Sequence, residues 1–316
     1  MKICVLDAKT LGDDCDVSVL SKAGELSIYD TTAQEDVNER IKDADVVVLN
    51  KVKLNETNLS EAKNLKLICL TATGYDNVDV SYCKSRNIGV CNVAGYSTNS
   101  VSQITIAMAM DLMCHIGQYK AYVADGSYTK SGVANYLKPV YHEFYGKTWG
   151  IVGLGNIGRA VAKVARALGC KVVCYKRTPD SEYENLSLDE LLKVSDIVSL
   201  HVPLSDATKH MINKDNLKLM KKDAILINVA RGAVCDEEAL CDAVKSGEIG
   251  GIGVDVYSVE PFGTDSPYND VLNMPNVCLL PHMAWGASES RQRCVNEVLS
   301  NIVSFTNGEF KNRVDL

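Results

Sequence analysis

The sequence predicts an α/β protein built from two doubly wound parallel sheets. Its 316 residues are long for one core, so two domains are expected. Short β-branched strands alternate with polar amphipathic segments on both sides of the middle, the pattern of parallel sheets covered by helices. Residues 148–168 then read as a strand, a glycine turn and a helix: Trp149-Gly150-Ile151-Val152, Gly153-Leu154-Gly155-Asn156-Ile157-Gly158, and a helical pattern over 159–168.

In chain order, strands are expected at 2–6, 25–29, 45–49, 66–71 and 88–92. Ligands of open parallel sheets collect outside the carboxyl ends of strands. The loop Thr71-Ala72-Thr73-Gly74-Tyr75-Asp76-Asn77 is therefore a candidate anion or substrate loop, or else a plain turn. The alternation breaks at Val93-Ala94-Gly95-Tyr96-Ser97-Thr98, where a domain boundary is placed, and an apolar helix is expected over 100–114. The tyrosine-rich stretch 117–146 is weakly periodic and receives no assignment. A strand at 171–175 completes a βαβ unit. Helices follow at 188–193, 214–219 and 237–246, interleaved with strands at 196–200, 224–228, 249–254 and 277–280, and a last helix at 288–305.

Composition removes several classes of function. Hydrophobic residues make up 46% of the chain and charged ones 23%, the balance of a folded globular protein. A net charge of -7, without any lysine or arginine cluster, argues against nucleic acid as a partner. The chain reaches Asp7 too soon for a secretory signal, and the apolar run 106–110 stops at Asp111. A cytoplasmic protein with no membrane partner is expected. Twelve cysteines, mostly inside apolar runs such as those around Cys69 and Cys278, read as reduced core thiols. Neither they nor His115, His142 and His210 compose a metal site.

The glycine turn points to a dinucleotide. Gly153 allows the tight turn, Gly155 lets backbone approach a pyrophosphate, and Gly158 lets helix pack on strand. The amides at the helix start, at Asn156, Ile157 and Gly158, then face the phosphates at the positive end of the helix dipole. An acid usually ends the second strand where the ribose 2′-hydroxyl of NAD is held. Here no acid occurs between residues 159 and 179, and Lys176, Arg177 and Thr178 occupy that place. Two cations and a hydroxyl suit a 2′-phosphate, which favours NADP(H). The other reading is a solvated basic turn in which Asp180 reaches back and NAD(H) binds.

Three ionisable residues follow expected strands in the second half: Arg231, Glu260 and His282. Reducing a 2-oxo acid needs a cation to hold the carboxylate and polarise the carbonyl, and a proton donor for the developing alkoxide. The fork of an arginine suits the first task. A histidine suits the second, and a carboxylate bonded to an imidazole favours its charged form.

With these groups in place the chain resembles the D-isomer-specific 2-hydroxyacid dehydrogenases over nearly its full length. The motifs that carry the resemblance, besides the glycine turn, run in the family's order. They are Ala72-Thr73-Gly74-Tyr75-Asp76-Asn77-Val78-Asp79, His201-Val202-Pro203-Leu204, Asn228-Val229-Ala230-Arg231-Gly232, Asp255-Val256-Tyr257 through Glu260-Pro261, and Pro281-His282-Met283-Ala284-Trp285. The resemblance implies that Arg231, Glu260 and His282 are the catalytic triad and that the Thr73 and Gly74 amides meet the substrate carboxylate. It implies that Asp255 contacts the nicotinamide carboxamide, and that Thr98, His201, Val202, Pro203, Thr208, Val229 and Ala230 line the cofactor. It further implies a Rossmann-type cofactor domain, residues 99–285, inserted into a flavodoxin-like substrate domain, residues 1–98 and 286–316, in a homodimer. The Pro-His-Met-Ala-Trp ending is most similar to the hydroxypyruvate reductase, or glycerate dehydrogenase, branch. Trp285 would border the substrate pocket there, or serve as a core aromatic at a helix start. Hydroxypyruvate or glyoxylate is then the expected substrate. The alternatives are bulkier branched or aromatic 2-oxo acids, or a non-catalytic dinucleotide-sensing protein of the co-repressor kind.

Overall fold

A computed structural model describes residues 1–316. The chain forms two compact units, one from Met1–Ser97 with Trp285–Leu316, the other from Thr98–Ala284. Each break falls one residue before the position expected from sequence.

In the first unit, strands β1 (Lys2–Val5), β2 (Glu25–Ile28), β3 (Val46–Leu49), β4 (Leu67–Leu70) and β5 (Gly89–Cys91) form one parallel sheet in the order β2-β1-β3-β4-β5. That is the flavodoxin-like order. The period-two geometry of a strand sorts the side chains of β3. Val47 and Leu49 face α1 (Val37–Ile41), α2 (Glu56–Leu59) and α3 (Val80–Ser85), whereas Val46 and Val48 face α11 (Ser288–Thr306). Helix α11 presents Cys294, Val295, Val298 and Ile302 to the sheet, a stripe at helical spacing.

The second unit opens with α4 (Thr98–Cys114), α5 (Ile116–Ala124) and α6 (Ser127–Ser131), so part of the unassigned tyrosine-rich stretch is helical. Its sheet contains β6 (Thr148–Val152), β7 (Lys171–Tyr175), β8 (Glu184–Asn185), β9 (Ile197–Leu200), β10 (Ile225–Asn228), β11 (Gly251–Val254) and β12 (Val277–Leu279). All pairings are parallel, in the order β12-β11-β10-β9-β6-β7-β8. This is the Rossmann order with one strand added, and the strand sequence reverses between β6 and β9. Helices α4 and α7 (Asn156–Ala167) cover one face, through Ile106, Ala109, Val161 and Ala165. On the other face α8 (Leu188–Val194), α9 (Lys214–Leu217) and α10 (Glu237–Ser246) bury Leu191, Leu217, Leu240 and Val244. Strand β8, two residues at the sheet edge, has no counterpart in the sequence reading. No helix is long and apolar enough to cross a membrane.

Candidate active site

Apart from Thr98, which opens α4, the residues expected to bind or react in the second unit follow strands of one parallel sheet and gather at its carboxyl edge. The glycine turn follows β6. Gly153 adopts φ +96°, and a Cβ there would press on the His201 carbonyl and the Val202 side chain. A Cβ on Gly158 would strike the Gly153 carbonyl, so this glycine sets how closely α7 approaches the strand. Gly155, just before α7, faces open space. Open space in front of the first amides of a twelve-residue helix fits a pyrophosphate.

Lys176, Arg177 and Thr178 follow β7, the strand next to β6. The Asp180 carboxylate is engaged by Arg159 of α7 and lies 3.6 Å from Lys176 Nζ. Its carboxyl is held down at about 2, first by the Glu182 amide and then by Arg159. The reading in which Asp180 reaches back to a ribose thus meets a carboxylate already committed to a cation on α7.

The residues that follow β9 are drawn inward. Trp149 Nε1 donates to Ser199 Oγ at 3.0 Å, and Ser199 Oγ lies 2.9 Å from His201 Nε2. An indole only donates, so Ser199 Oγ accepts from Trp149 and shares its other hydrogen bond with His201 Nε2. His201 was expected as a cofactor-loop residue. Its ring is turned back onto Ser199, and its backbone, donating to Val152 O at 2.7 Å, is the part that borders Gly153. The residue as a whole is half-buried, but Nδ1 is out of contact with solvent and has no protein partner. Burial pushes the imidazole down to about 3. Between the ordinary histidine value near 6.5 and about 3, the unfolded chain takes up a proton that the folded chain refuses. Stability should therefore fall as pH falls through that window, by up to about 1.4 kcal/mol per unit from this residue. Urea unfolding at pH 7 and pH 5 measures it: His201→Phe should flatten the slope, and equal slopes in both proteins would refute the assignment. Beyond His201, the Thr208 hydroxyl donates to Pro203 O at 2.6 Å and closes the Pro203 turn on itself.

Strands β10, β11 and β12 are neighbours, and Arg231, Glu260 and His282 follow them in that order. Fully buried Asn228 ends β10 and shapes the arginine turn: its Oδ1 accepts from Ala230 N at 3.0 Å, and its Nδ2 donates to Arg231 O at 2.9 Å. The Arg231 guanidinium donates from Nη1 to Ala230 O at 2.8 Å. After β12, His282 sits at φ +52°, a conformation uncommon outside glycine and found at sites where surrounding contacts over-determine the backbone. Those contacts come from Asp255 at the end of β11, whose Oδ1 accepts from Met283 N at 2.8 Å and Oδ2 from Ala284 N at 3.0 Å. Burial pushes the Asp255 carboxyl up, against these two amides. Tyr257 adds a tie, its hydroxyl donating to Leu280 O at 2.9 Å. So braced, His282 Nδ1 lies 2.6 Å from Glu260 Oε2, while Glu260 Oε1 accepts from Tyr257 N at 3.0 Å. An ionised carboxylate only accepts, so Nδ1 carries the shared proton and Nε2 is the nitrogen left for chemistry.

The remaining expected residues belong to the first unit. Thr73 and Gly74 follow β4, and the Thr73 hydroxyl donates to Val93 O at 2.9 Å. Trp285 packs edge-on against Tyr96, ring centres 6.4 Å apart, beside the cluster that α11 buries. Sequence reasoning missed the work of Asp255, Asn228 and Ser199, because the amides and rings they engage become neighbours only in the folded sheet.

The chain is similar to known proteins over its whole length. The family model for the D-isomer specific 2-hydroxyacid dehydrogenase, NAD binding domain, matches residues 106–284. The chain is 37% identical to a hydroxypyruvate reductase of Blautia hydrogenotrophica, covering 100% of both chains. It is 36% identical to a glycerate dehydrogenase of Methylorubrum extorquens, covering 99% of both. Among solved structures, the D-lactate dehydrogenase of Aquifex aeolicus complexed with NAD and lactic acid superposes with a TM-score of 0.88 at 30% identity, covering 100% of this chain and 99% of that one. The chain belongs to the D-isomer-specific 2-hydroxyacid dehydrogenases, a family that reduces small 2-oxo acids with a nicotinamide dinucleotide.

Proposed function

We propose that this protein reduces hydroxypyruvate or glyoxylate to the D-2-hydroxy acid, with NADPH preferred over NADH, as a cytoplasmic homodimer. The observation that carries the reaction is the 2.6 Å His282–Glu260 hydrogen bond, made beyond the ends of β12 and β11, next to β10, which Arg231 follows. The bound nicotinamide supplies the hydride. Arg231 holds the substrate carboxylate and polarises the carbonyl, and His282 gives a proton to the oxygen that gains charge. Glu260 holds the imidazole in orientation through Nδ1 and leaves Nε2 for the substrate. The loop after β4, with the amides of Thr73 and Gly74, marks the first unit as the substrate domain. In the second unit, Thr98, Val202, Pro203, Thr208, Val229 and Ala230 line the cofactor, and Asp255 reaches the nicotinamide carboxamide.

The cofactor preference rests on Lys176 and Arg177 after β7, the strand beside β6, with the neighbouring Asp180 carboxylate engaged by Arg159 and Lys176. The dimer reading is supported by an apolar surface on the second unit, where Ile116, Val123, Leu137, Val140 and Tyr145 are each more than half exposed.

The deciding experiment is hydroxypyruvate and glyoxylate reduction with NADPH and NADH side by side, on protein whose mass in solution is read by sedimentation. Faster turnover with NADPH is expected, with Lys176→Ala and Arg177→Ala each raising the apparent KM for NADPH and sparing NADH. Turnover with NADH alone removes the NADPH preference. Activity confined to phenylpyruvate or branched acids removes the substrate, and tight nucleotide binding without turnover on any 2-oxo acid favours a sensing protein.

A further inference from the structure

We infer that Glu237, at the start of α10, is a positioning residue for the reaction: its carboxylate, together with the bare backbone of Gly232, clamps the loop that carries Glu260 and so sets the His282–Glu260 hydrogen bond. The inference rests on the reading of His282 as proton donor and Glu260 as its holder.

The turn that delivers Glu260 runs between two packed rings, Tyr257 and Phe262, and has little packing of its own in between. Residues 258–261 are exposed, with Val259 at 68%, and side-chain burial contributes little to its position. Backbone contacts hold it instead. Ser258 N donates to Glu237 Oε1 at 2.8 Å, a charge-assisted bond to the amide next to Tyr257. The Tyr257 amide in turn donates to Glu260 Oε1 at 3.0 Å. Beneath the same peptide lies Gly232, where a Cβ would overlap the Tyr257 carbonyl carbon and the Ser258 nitrogen.

Gly232 is the residue after Arg231, and Glu237 follows it by five positions on the same short stretch. One segment therefore carries the substrate-holding guanidinium at one end and the tether of the acid's partner at the other. That segment is itself held: Asp236 caps α10 by accepting from Ala239 N at 3.1 Å, and Ile212 bridges Cys235. The chain of contacts runs Glu237, Ser258 and Tyr257 amides, Glu260, His282, within one domain. Burial, with the Glu260 charge, pushes the half-buried Glu237 carboxyl up, against the Ser258 amide and hydroxyl and His210.

The test compares Glu237→Ala with Glu237→Gln in the whole enzyme. Alanine removes the acceptor, whereas the glutamine amide oxygen still accepts from Ser258 N. Glu237→Ala should lower kcat for the 2-oxo acid about ten-fold, with dinucleotide affinity within about two-fold of the parent, because a general acid tolerates little displacement. Glu237→Gln should recover most of that loss. A readout independent of turnover is the low-field proton resonance of the short His282–Glu260 bond, expected in the parent and in Glu237→Gln and lost in Glu237→Ala. Parent-like kcat and resonance in Glu237→Ala overturn the inference, and so does a Glu237→Gln as impaired as the alanine variant. A parent that reduces no 2-oxo acid would sink the proposed reaction, while the resonance would still decide the clamp.

Discussion

Replacing His282 with alanine should lower the maximal rate of 2-oxo acid reduction by about two to four orders of magnitude, the usual worth of a positioned general acid. Cofactor binding should survive almost unchanged. The glycine turn follows β6, and His282 follows β12, with β9, β10 and β11 between them; four strand spacings amount to about 19 Å. Glu260→Gln should reproduce part of the loss, since the imidazole keeps a neighbour but loses the charge-assisted hydrogen bond that orients it. Single-turnover measurement with saturating cofactor separates the chemical step from binding. A His282→Ala protein that no longer binds dinucleotide would show that the histidine serves the cofactor and not the proton.

Removing the Arg231 guanidinium should act on substrate capture. Truncating one member of a desolvated charge pair costs roughly 2–5 kcal/mol, so kcat/KM for the 2-oxo acid should fall by about thirty-fold to a few thousand-fold. Much of this should show as a raised KM. Arg231→Lys should recover only a fraction, because an ammonium carries the charge without the planar fork that grips a carboxylate at two points. The Asn228 bonds to the turn give a check on interpretation: they hold the Ala230 amide and the Arg231 carbonyl, and neither substitution touches them. An unchanged KM in Arg231→Ala would exclude the anchoring role.

The parts legible in sequence were those written in local pattern. Val46 through Leu49 and Leu67 through Leu70 read as buried strands because nearly every residue is apolar, which is how a strand covered on both faces must read. Gly153 and Gly158 were legible because the positive φ of one and the close helix contact of the other exclude a side chain. Arg231, Glu260 and His282 stood out as ionisable residues just beyond such strands. What stayed hidden depends on partners brought from far along the chain. Asp255 looks like an ordinary strand-end acid until the amides of Met283 and Ala284 arrive beside it. Ser199 looks like a polar flaw in β9 until Trp149 and His201 use it. The two residues of β8 carry no periodicity at all; Glu184 and Asn185 are strand only because β7 offers an edge.

The interruption of the first unit also constrains how the molecule can be made. Its sheet is complete by Cys91, yet the helix that covers Val46, Val48, Leu67 and Cys69 begins at Ser288. A nascent chain must therefore hold the part of its first sheet that α11 covers exposed until the whole of Thr98–Ala284 has left the ribosome. The inserted domain is continuous in sequence and can close its own core first. Its first and last residues then act as a pre-formed staple, shortening the loop that α11 would otherwise have to close from an unfolded chain.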